Sequence, residues 1–515
     1  MFLKVMLTNK KYYLLVGLII ILGFFFRILV ANSQPLCLDE KYSIFYATQF
    51  NYSDLLKNFS SDVHPGFYYS FLKSLLGITN NKTALRTLSS IIPQILGILF
   101  LSWFFFKRNK KKEAFLLSFI FAFNPFFNHL SFQLRSYSLI FLITIVVYLL
   151  ICLWQEERKK IFLFIIFILL LIGNLTHYVM YIFSFFVLVF ISLKIKTKKV
   201  NKFLFLFLTT LLMLLQFFLY DGFSSYSQYK NQFQDAGWIA TPSFYNIPKV
   251  YLTSLGMDID TMNTLYGNVV LPSIVFYSAL LFIFVLLIIK KPKISFLSQK
   301  FFVLSIAPLL TILFLSYLIT LLSHRVFLNQ FIPRISLFIP RIQLPFIIIL
   351  WISIIENLFS YWKTFQHKLK ANTIFIVAGI LVFYWGLLNF NLNVKDLCSN
   401  SERDSVLQIF QKNQTLSNQF NLWPHWMWIE AIQLNDLKNI SALSKQKEQD
   451  RKFEQLFIDN SYSLDCSTLQ NVEMYSYVGN VVSQQKLQSE VINLLDKCCT
   501  KQDEVGLFKS WKCEN

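Results

Sequence analysis

Residues 12–40 decide the fold, and they read YYLLVGLIIILGFFFRILVANSQPLCLDE. The run from 12 to 31 is apolar except for Arg27, and it is long enough for one helix to cross the ~30 Å hydrocarbon core of a bilayer. Asp39 and Glu40 follow shortly after the run ends. We therefore predict a membrane-spanning helix that leads into an acidic segment at the membrane surface. The alternative, a cleaved signal peptide, is disfavoured by the length of the run and by a poor cleavage sequence.

The rest of the chain is also strongly apolar. Of its 515 residues, 55% are hydrophobic and 15% are charged, whereas soluble domains carry roughly 25% charged residues. A soluble domain of this length could not bury so much apolar surface. A disordered chain and a small secreted disulfide scaffold are excluded by the same composition. The sequence predicts an all-α polytopic membrane bundle.

About eleven apolar runs predict transmembrane helices. They lie near 12–31, 84–106, 114–128, 137–154, 161–175, 177–193, 203–220, 269–289, 301–322, 335–355 and 373–390. Several are shorter than the ~20 residues of a straight span, so we expect tilted or broken helices.

Basic residues set the orientation of the bundle. Every second loop is rich in Lys and Arg, namely 107–112, 158–160, 194–202, 290–293 and 363–370. By the positive-inside rule these loops face the cytoplasm. The long loop 32–83 and the tail after 390 then lie outside, so we predict a multipass protein of the cytoplasmic (inner) membrane.

Charge divides the chain into two predicted domains. Residues 1–390 hold 35 Lys and Arg against 12 Asp and Glu, and residues 391–515 hold 13 against 16. The basic excess therefore lies in the transmembrane domain, which indicates anionic membrane lipids and not nucleic acid as the partner. We predict a small extracytoplasmic α/β domain at 391–515.

The cysteines agree with this topology. Six of the seven fall on the predicted outer side, where an oxidising compartment lets them pair; they are Cys37, Cys398, Cys466, Cys498, Cys499 and Cys513. Their connectivity cannot be deduced from the sequence. No spacing is typical of a metal site, so we predict no metal ligands.

Candidate catalytic residues lie in the first external loop. Asp39, Glu40 and Asp62 are carboxylates next to apolar helices, where desolvation raises basicity and suits a general base. The simpler explanation is that acids belong in wet external loops. Catalysis and solvation both remain open at this point.

Candidate binding residues are the arginines near the outer surface. Arg135 lies where the second external loop re-enters the membrane, and a guanidinium there can hold a phosphate through two parallel hydrogen bonds. Arg334 and Arg341 end a near-repeat, Phe-Ile-Pro-Arg. Arg27 can snorkel to the headgroups or pair with an acid of the first loop. An interfacial belt of arginines is the alternative to phosphate binding.

The order of these motifs resembles a known family. The motifs are Arg27, Asp39-Glu40, Asp62-x-His64-Pro65-x-x-Tyr68-Tyr69, Arg135-x-Tyr137, Thr176-His177-Tyr178 and a late Pro-Arg that fits Arg334 or Arg341. Over roughly residues 12–345 this order is similar to that of the GT-C membrane glycosyltransferases. The branch it resembles holds the protein O-mannosyltransferases and the lipid A aminoarabinose transferases, together with bacterial mannosyltransferase-like membrane proteins.

The resemblance implies a transferase that uses a polyprenyl-phosphate-linked sugar as donor and a hydroxyl group as acceptor. It implies that Asp39 is the base or orients the acceptor, that Glu40 completes the pair, and that Arg135 holds the carrier phosphate. Arg27, His64, Tyr137 and His177 match further motif positions, which we expect to bind substrate.

Two residues depart from the family pattern. Gln133 stands where many relatives have Glu, and because glutamine is a weak metal ligand, no cofactor is predicted with certainty and a divalent metal stays an open alternative. Gly66 stands where relatives tend to have a second Pro, and we expect it to loosen the turn.

Elementary chemistry agrees with such a reaction. A site outside the cytoplasm has no nucleotide sugars and needs a lipid-borne donor, and its phosphate leaving group gains negative charge that arginines stabilise. We expect a single displacement with inversion by a hexosyl- or pentosyltransferase. A transporter or a flippase for lipid-linked sugars is the main alternative, although the charged candidates cluster at one face instead of the membrane midplane. The donor sugar and the acceptor are not given by the sequence.

Overall fold

A computed structural model describes residues 2–57, 64–195, 199–219, 303–304, 307–308, 311, 343–365, 408–409, 420–423, 472–477, 485–505 and 508–513. The predicted helices 269–289 and 373–390, and most of 301–322, lie outside these ranges. So do Asp62, Arg334 and Arg341.

Helices make up most of the described chain. They are α1 Phe2–Ser33, α2 Leu38–Gln49, α3 Tyr52–Lys57, α4 Phe67–Leu76, α5 Lys82–Arg86, a π-helical turn Thr87–Ile91, α6 Ile92–Lys107, α7 Lys111–Phe123, α8 Pro125–Ser131, α9 Tyr137–Glu157, α10 Lys160–Thr176, α11 Val179–Lys194, α12 Lys199–Leu219, α13 Leu344–Phe365 and α14 Gln485–Cys498. Four strands follow α13: β1 Phe420–Trp423, β2 Val472–Tyr477, β3 Thr500–Val505 and β4 Phe508–Cys513.

Four described helical segments are long and apolar enough to cross a membrane. They are Tyr12–Ser33, Lys82–Lys107, Tyr137–Glu157 and Val200–Phe217. A bent pair, α7 with α8, makes a fifth, and α10, α11 and the first part of α13 are shorter apolar helices. The protein is therefore a multipass membrane protein. The predicted separation of 161–175 from 177–193 is confirmed, because α10 ends at Thr176 and α11 begins at Val179.

Two predicted helices contain a proline at or near the start of a helical segment. The span predicted over 114–128 is a broken helix, as expected for the shorter runs, because the chain bends by 59° between α7 and α8. Pro125 has no N–H to continue the helix, and the Asn124 side chain instead accepts a hydrogen bond from the Phe126 N–H at 2.9 Å. Of the helix predicted over 335–355, the described part is α13, which has Pro345 in its first turn and continues to Phe365; residues 335–342 lie outside the described ranges.

The basic loop 107–112 lies beside the latter part of α13 at one end of the bundle. Lys110 forms an ion pair with Glu356 of α13 at 3.0 Å, and the Tyr148 hydroxyl donates to the same carboxylate at 2.5 Å. Helix α13 packs against α9 and α7. The latter part of α13 therefore lies beside the 107–112 loop, at the same end of the bundle.

A second layer of short helices covers the C-terminal end of α1, away from the 107–112 loop. Helices α2, α3 and α4 form most of the loop predicted at 32–83, and α4 packs on α2. Apolar residues of α2 and α4, among them Ile44, Tyr69 and Leu72, form a hydrophobic cluster separate from the transmembrane core. Ile409, Tyr475 and Phe508 of the C-terminal segment belong to the same cluster.

The described part of the C-terminal segment contains a four-stranded sheet in the order β1-β2-β4-β3. Strand β1 pairs with β2 in parallel, and the other pairs are antiparallel. Helix α14 is attached to β4 by a hydrogen bond of 2.9 Å from the buried Trp511 indole to Asp496. The Cys499–Cys513 disulfide closes the β3–β4 hairpin.

Candidate active site

The candidate site begins at the N-terminus of α2. Cys37 precedes the helix, and Glu40 in its first turn accepts a hydrogen bond from the Cys37 N–H at 2.9 Å. A carboxylate in this place satisfies a backbone N–H that the helix cannot, and it lies at the positive end of the helix dipole. Asp39 shares the first turn with Glu40, so the helix start presents two adjacent carboxylates.

Glu40 is completely buried against Arg86. Arg86 donates from Nε to one carboxylate oxygen at 2.9 Å and from Nη2 to the other at 2.5 Å, and both side chains have no exposed surface. Each oxygen also accepts one backbone N–H, from Cys37 and from Leu134 at 2.9 Å. The carboxylate therefore uses all of its roughly four acceptor positions.

Arg86 is equally saturated. Besides Glu40, its guanidinium donates to the carbonyls of Ala31, Gln34 and Pro35 at 2.7–2.8 Å. These carbonyls belong to the end of α1 and the turn that follows it. All five N–H donors are used. The pair thus joins the end of α1, the start of α2 and the Leu134 backbone.

The same contacts fix the loop that carries Arg135. The Leu134 N–H donates to Glu40, and the Ser90 hydroxyl donates to the Gln133 carbonyl at 2.6 Å. That carbonyl also accepts the Arg135 N–H at 2.8 Å across a tight turn. Ser90 lies in the π-helical turn, a distortion that often occurs at functional sites. The buried Glu40 carboxylate and Ser90 hydroxyl therefore fix the backbone immediately before Arg135.

Arg135 faces Asp39. Arg135 Nη2 lies 3.3 Å from Asp39 Oδ1, and 41% of the Asp39 side chain is exposed against 11% of the Arg135 side chain. Arg135 Nη1 also contacts the hydroxyls of Ser43 and Tyr69 at 3.4 and 3.3 Å. These distances are long for hydrogen bonds to a guanidinium. Beside this pair, burial raises the pKa of the Tyr68 phenol, which therefore stays a neutral hydroxyl.

The histidine motifs meet at a second place. The rings of His64 and His177 lie 4.8 Å apart, and the Tyr137 ring lies 6.2 Å from His177. Nδ1 of His177 accepts the Val179 N–H at 3.1 Å, so the proton of the neutral ring is on Nε2. Three positions from separate motifs are thus brought together, with Tyr137 two residues beyond Arg135.

Arg27 lies elsewhere. Its side chain is fully buried and donates to the carbonyls of Phe121 and Ala122 at 2.7 and 2.8 Å, and to the Ser131 hydroxyl at 3.0 Å. The snorkelling alternative is therefore wrong, and no described carboxylate pairs with Arg27. Its guanidinium stabilises the end of α7 at the bend to α8, where helix carbonyls lack partners. This placement supports a structural role instead of the predicted substrate contact.

The two departures from the family pattern have local explanations. Gly66 has an ordinary helical φ of −76°, but a Cβ there would lie 1.7 Å from the Leu55 carbonyl oxygen. The glycine thus permits a close approach of two backbones and does not loosen the turn. Gln133 is mostly buried, and its amide lies 2.8 Å from His129 Nε2.

The described residues offer no ready metal site. In the part of the chain that the structure describes, no three His, Cys, Asp or Glu side chains lie close enough to hold an ion. Asp62 lies outside that part.

Sequence reasoning missed Arg86 and Ser90. Both lie inside or next to the apolar run predicted at 84–106, and an arginine within such a run is a functional signal by default. That signal was available for Arg86, because burying a lone guanidinium in a membrane bundle requires a partner. Nothing in the sequence indicates that Ser90 reaches the Gln133 carbonyl.

No family model matches this chain, and no curated protein matches it. Among solved structures, ArnT from Cupriavidus metallidurans in the apo state matches with a TM-score of 0.50 and 12% identity, over 96% of this chain and 97% of ArnT. The chain has the GT-C fold. The Archaeoglobus fulgidus oligosaccharyltransferase, solved in complex with Zn and sulfate, matches with a TM-score of 0.46 and 11% identity, over 96% of this chain and 73% of that chain.

The fold comparison agrees with the GT-C part of the resemblance found in the sequence. ArnT is an aminoarabinose transferase. At 12% identity the likeness concerns the fold and does not select the mannosyltransferase-like branch. Within the GT-C fold, the Asp39–Arg135 pair connects the start of α2 to the loop between α8 and α9.

Proposed function

We propose that this protein transfers a sugar from a polyprenyl-phosphate donor to a hydroxyl acceptor at the extracytoplasmic face of the cytoplasmic membrane. The contact between Asp39 and Arg135 is the observation that carries the proposal. One partner is a half-exposed carboxylate, and the other is a mostly buried guanidinium held by long contacts. This reaction needs two groups: an accessible base, which Asp39 provides, and a cation that can bind the donor phosphate, which Arg135 provides.

The reaction uses the pair as follows. The donor phosphate takes the two Nη groups of Arg135, which releases Asp39 toward the acceptor. Asp39 accepts the proton of the acceptor hydroxyl, and the hydroxyl oxygen forms a bond to the anomeric carbon. The bond from that carbon to the phosphate oxygen breaks, and the polyprenyl phosphate leaves with the electron pair. Attack opposite the leaving group inverts the anomeric centre.

The other predicted site residues have positioning, binding and catalytic roles in the proposal. Glu40 positions Asp39 and Arg135 through Arg86 and the Leu134 backbone, because its carboxylate has no free acceptor left for a substrate proton. His64, Tyr137 and His177 form a second group that is suited to hydroxyls of the sugar or of the acceptor. Asp62, Arg334 and Arg341 keep their predicted roles, catalytic for the acid and phosphate-binding for the arginines.

The test is transfer by the purified full chain. Labelled polyprenyl-phosphate sugars are offered as a panel with hydroxyl acceptors, and release of free polyprenyl phosphate together with a labelled product is measured by mass spectrometry. We expect release that depends on both donor and acceptor. Flux of lipid-linked sugar across vesicles without transfer would establish the transporter or flippase instead.

The orientation has its own test. Protease added outside sealed, right-side-out cells should remove an epitope attached at Asn515. Complete protection of that epitope would place the C-terminal segment in the cytoplasm and overturn the extracytoplasmic site.

A further inference from the structure

We propose that a disulfide of Cys37 joins the candidate site to the C-terminal segment and holds that segment against it. The link itself follows from cysteine pairing, and its consequence for transfer rests on the proposed function. Cys37 is the residue immediately before α2, two positions from Asp39. A covalent bond at this point acts directly on the helix start that carries both acids.

The pairing is obtained by elimination. The chain has seven cysteines. Cys37 is disulfide-bonded, Cys152 is a free thiol, and Cys499 is bonded to Cys513. The remaining partners for Cys37 are Cys398, Cys466 and Cys498, and all three lie in residues 391–515. Whichever of them pairs with Cys37, the bond connects the first external loop to the C-terminal segment.

Packing supports the same connection. Ile409, Tyr475 and Phe508 are completely buried, and they share one hydrophobic cluster with Tyr69. The hydroxyl of Tyr69 contacts Arg135 at 3.3 Å. The C-terminal segment therefore packs on the helices whose side chains form the site, and the disulfide closes a loop of several hundred residues around that contact.

The Cys37 disulfide restricts the movement of the N-terminus of α2. Without the bond, the N-terminus of α2 depends on noncovalent contacts alone, and the Asp39 carboxylate loses part of its positioning. A misplacement of about 1 Å in a catalytic group costs on the order of 10²-fold in rate. The bond also requires an oxidising compartment, so a reduced protein is expected to lose transfer while the membrane bundle stays folded.

The first experiment tests the link without any activity. A protease site is inserted after Asn393 in the full chain, free thiols are blocked, and the protein is cut and run on a denaturing gel. The N-terminal fragment then carries only Cys37 and Cys152. We expect the fragments to stay joined without reductant and to separate with it. Separation of the wild-type fragments without reductant would overturn the link.

Two variants assign the bond. Cys37→Ser removes the thiol and keeps a residue that is favoured before a helix, so its fragments should separate without reductant. Cys152→Ser is the matched control, and its fragments should stay joined. A joined Cys37→Ser protein would refute the assignment. Should Cys37→Ser fail to fold, non-reducing peptide mapping of the wild type still identifies the cysteine bonded to Cys37.

The second experiment measures the consequence. In uncut Cys37→Ser protein, hydrogen exchange of the amides in α2 should quicken while that of α9 stays the same, and transfer should fall about 10²-fold. Unchanged exchange in α2 would overturn the positional effect. A wild type with joined fragments and no transfer on any donor would instead overturn the proposed function and leave the link intact.

Discussion

The two carboxylates at the start of α2 are each paired with an arginine, and the two pairs differ. Glu40 and Arg86 have no exposed surface, and all of their hydrogen-bonding positions are filled. Asp39 and Arg135 meet at 3.3 Å with Asp39 41% exposed. We call Glu40–Arg86 the closed pair and Asp39–Arg135 the open pair. The closed pair fixes the backbone around it, and the open pair is the one that we propose to bind substrate. Asp39 and Glu40 are adjacent in the sequence, but their different surroundings suit them to different roles.

Breaking the closed pair should have the largest effect. Arg86→Met leaves the Glu40 carboxylate buried without its cation, which costs about 3–5 kcal/mol in such sites. That is a large part of a typical net stability of ~5–15 kcal/mol. We expect a strongly lowered unfolding temperature in detergent and little folded protein. The double variant Glu40→Leu/Arg86→Met should recover only the part due to the unpaired charge, because the carbonyls of Ala31, Gln34 and Pro35 still lose their donor. A fully stable single variant would contradict a structural role for the pair.

Asp39→Asn should leave stability nearly intact and remove turnover. It keeps size and polarity but cannot accept the proton, so the transfer rate should fall by about 10²–10⁴-fold. Donor binding should be equal or tighter, because the competing negative charge beside Arg135 is gone. The transfer rate and the donor affinity are measured on the same preparation. An active Asp39→Asn enzyme would shift the base to Asp62.

Arg135 variants should affect donor binding and turnover together. Arg135→Ala loses a charge-assisted contact to the phosphate that is already made in the ground state, so both should fall. Arg135→Lys should restore part of each, because an ammonium cannot reproduce the two parallel hydrogen bonds. Donor affinity is measured by titration and rate by single turnover. If Asp39→Asn weakens donor binding as much as Arg135→Ala does, the open pair is structural.

Ser90→Ala should have the smallest effect. It removes the hydrogen bond to the Gln133 carbonyl and should cost about 1 kcal/mol. Ser102→Ala is the matched control, because Ser102 is also a buried serine that bonds to a backbone carbonyl, that of Ile98. Both should lower stability similarly, and only Ser90→Ala should weaken donor binding. Equal donor binding in the two variants would show that the π-helical turn does not position Arg135.

The sequence predicted the class of protein, and it supplied most of the candidate site residues, whose roles stay predictions. Apolar runs of span length force helices, since a bilayer offers no other partner for the backbone. The order of the motifs predicted the GT-C fold, with which the structural likeness to ArnT agrees. It also predicted that Asp39, Arg135, His64 and His177 belong to one face. The eleven-helix count and the domain division stay predictions.

The tertiary structure decided which charged side chains have all their hydrogen-bonding positions filled within the protein and which stay accessible. Arg27 and Arg135 are alike in the sequence, as arginines beside apolar helices, yet one donates to the carbonyls at a bent helix and the other faces Asp39. Arg86 becomes a partner of Glu40 only when two segments 46 residues apart meet. Composition and spacing determine that a charge is buried. Which acceptor satisfies it depends on long-range packing, and a local pattern carries no information about that.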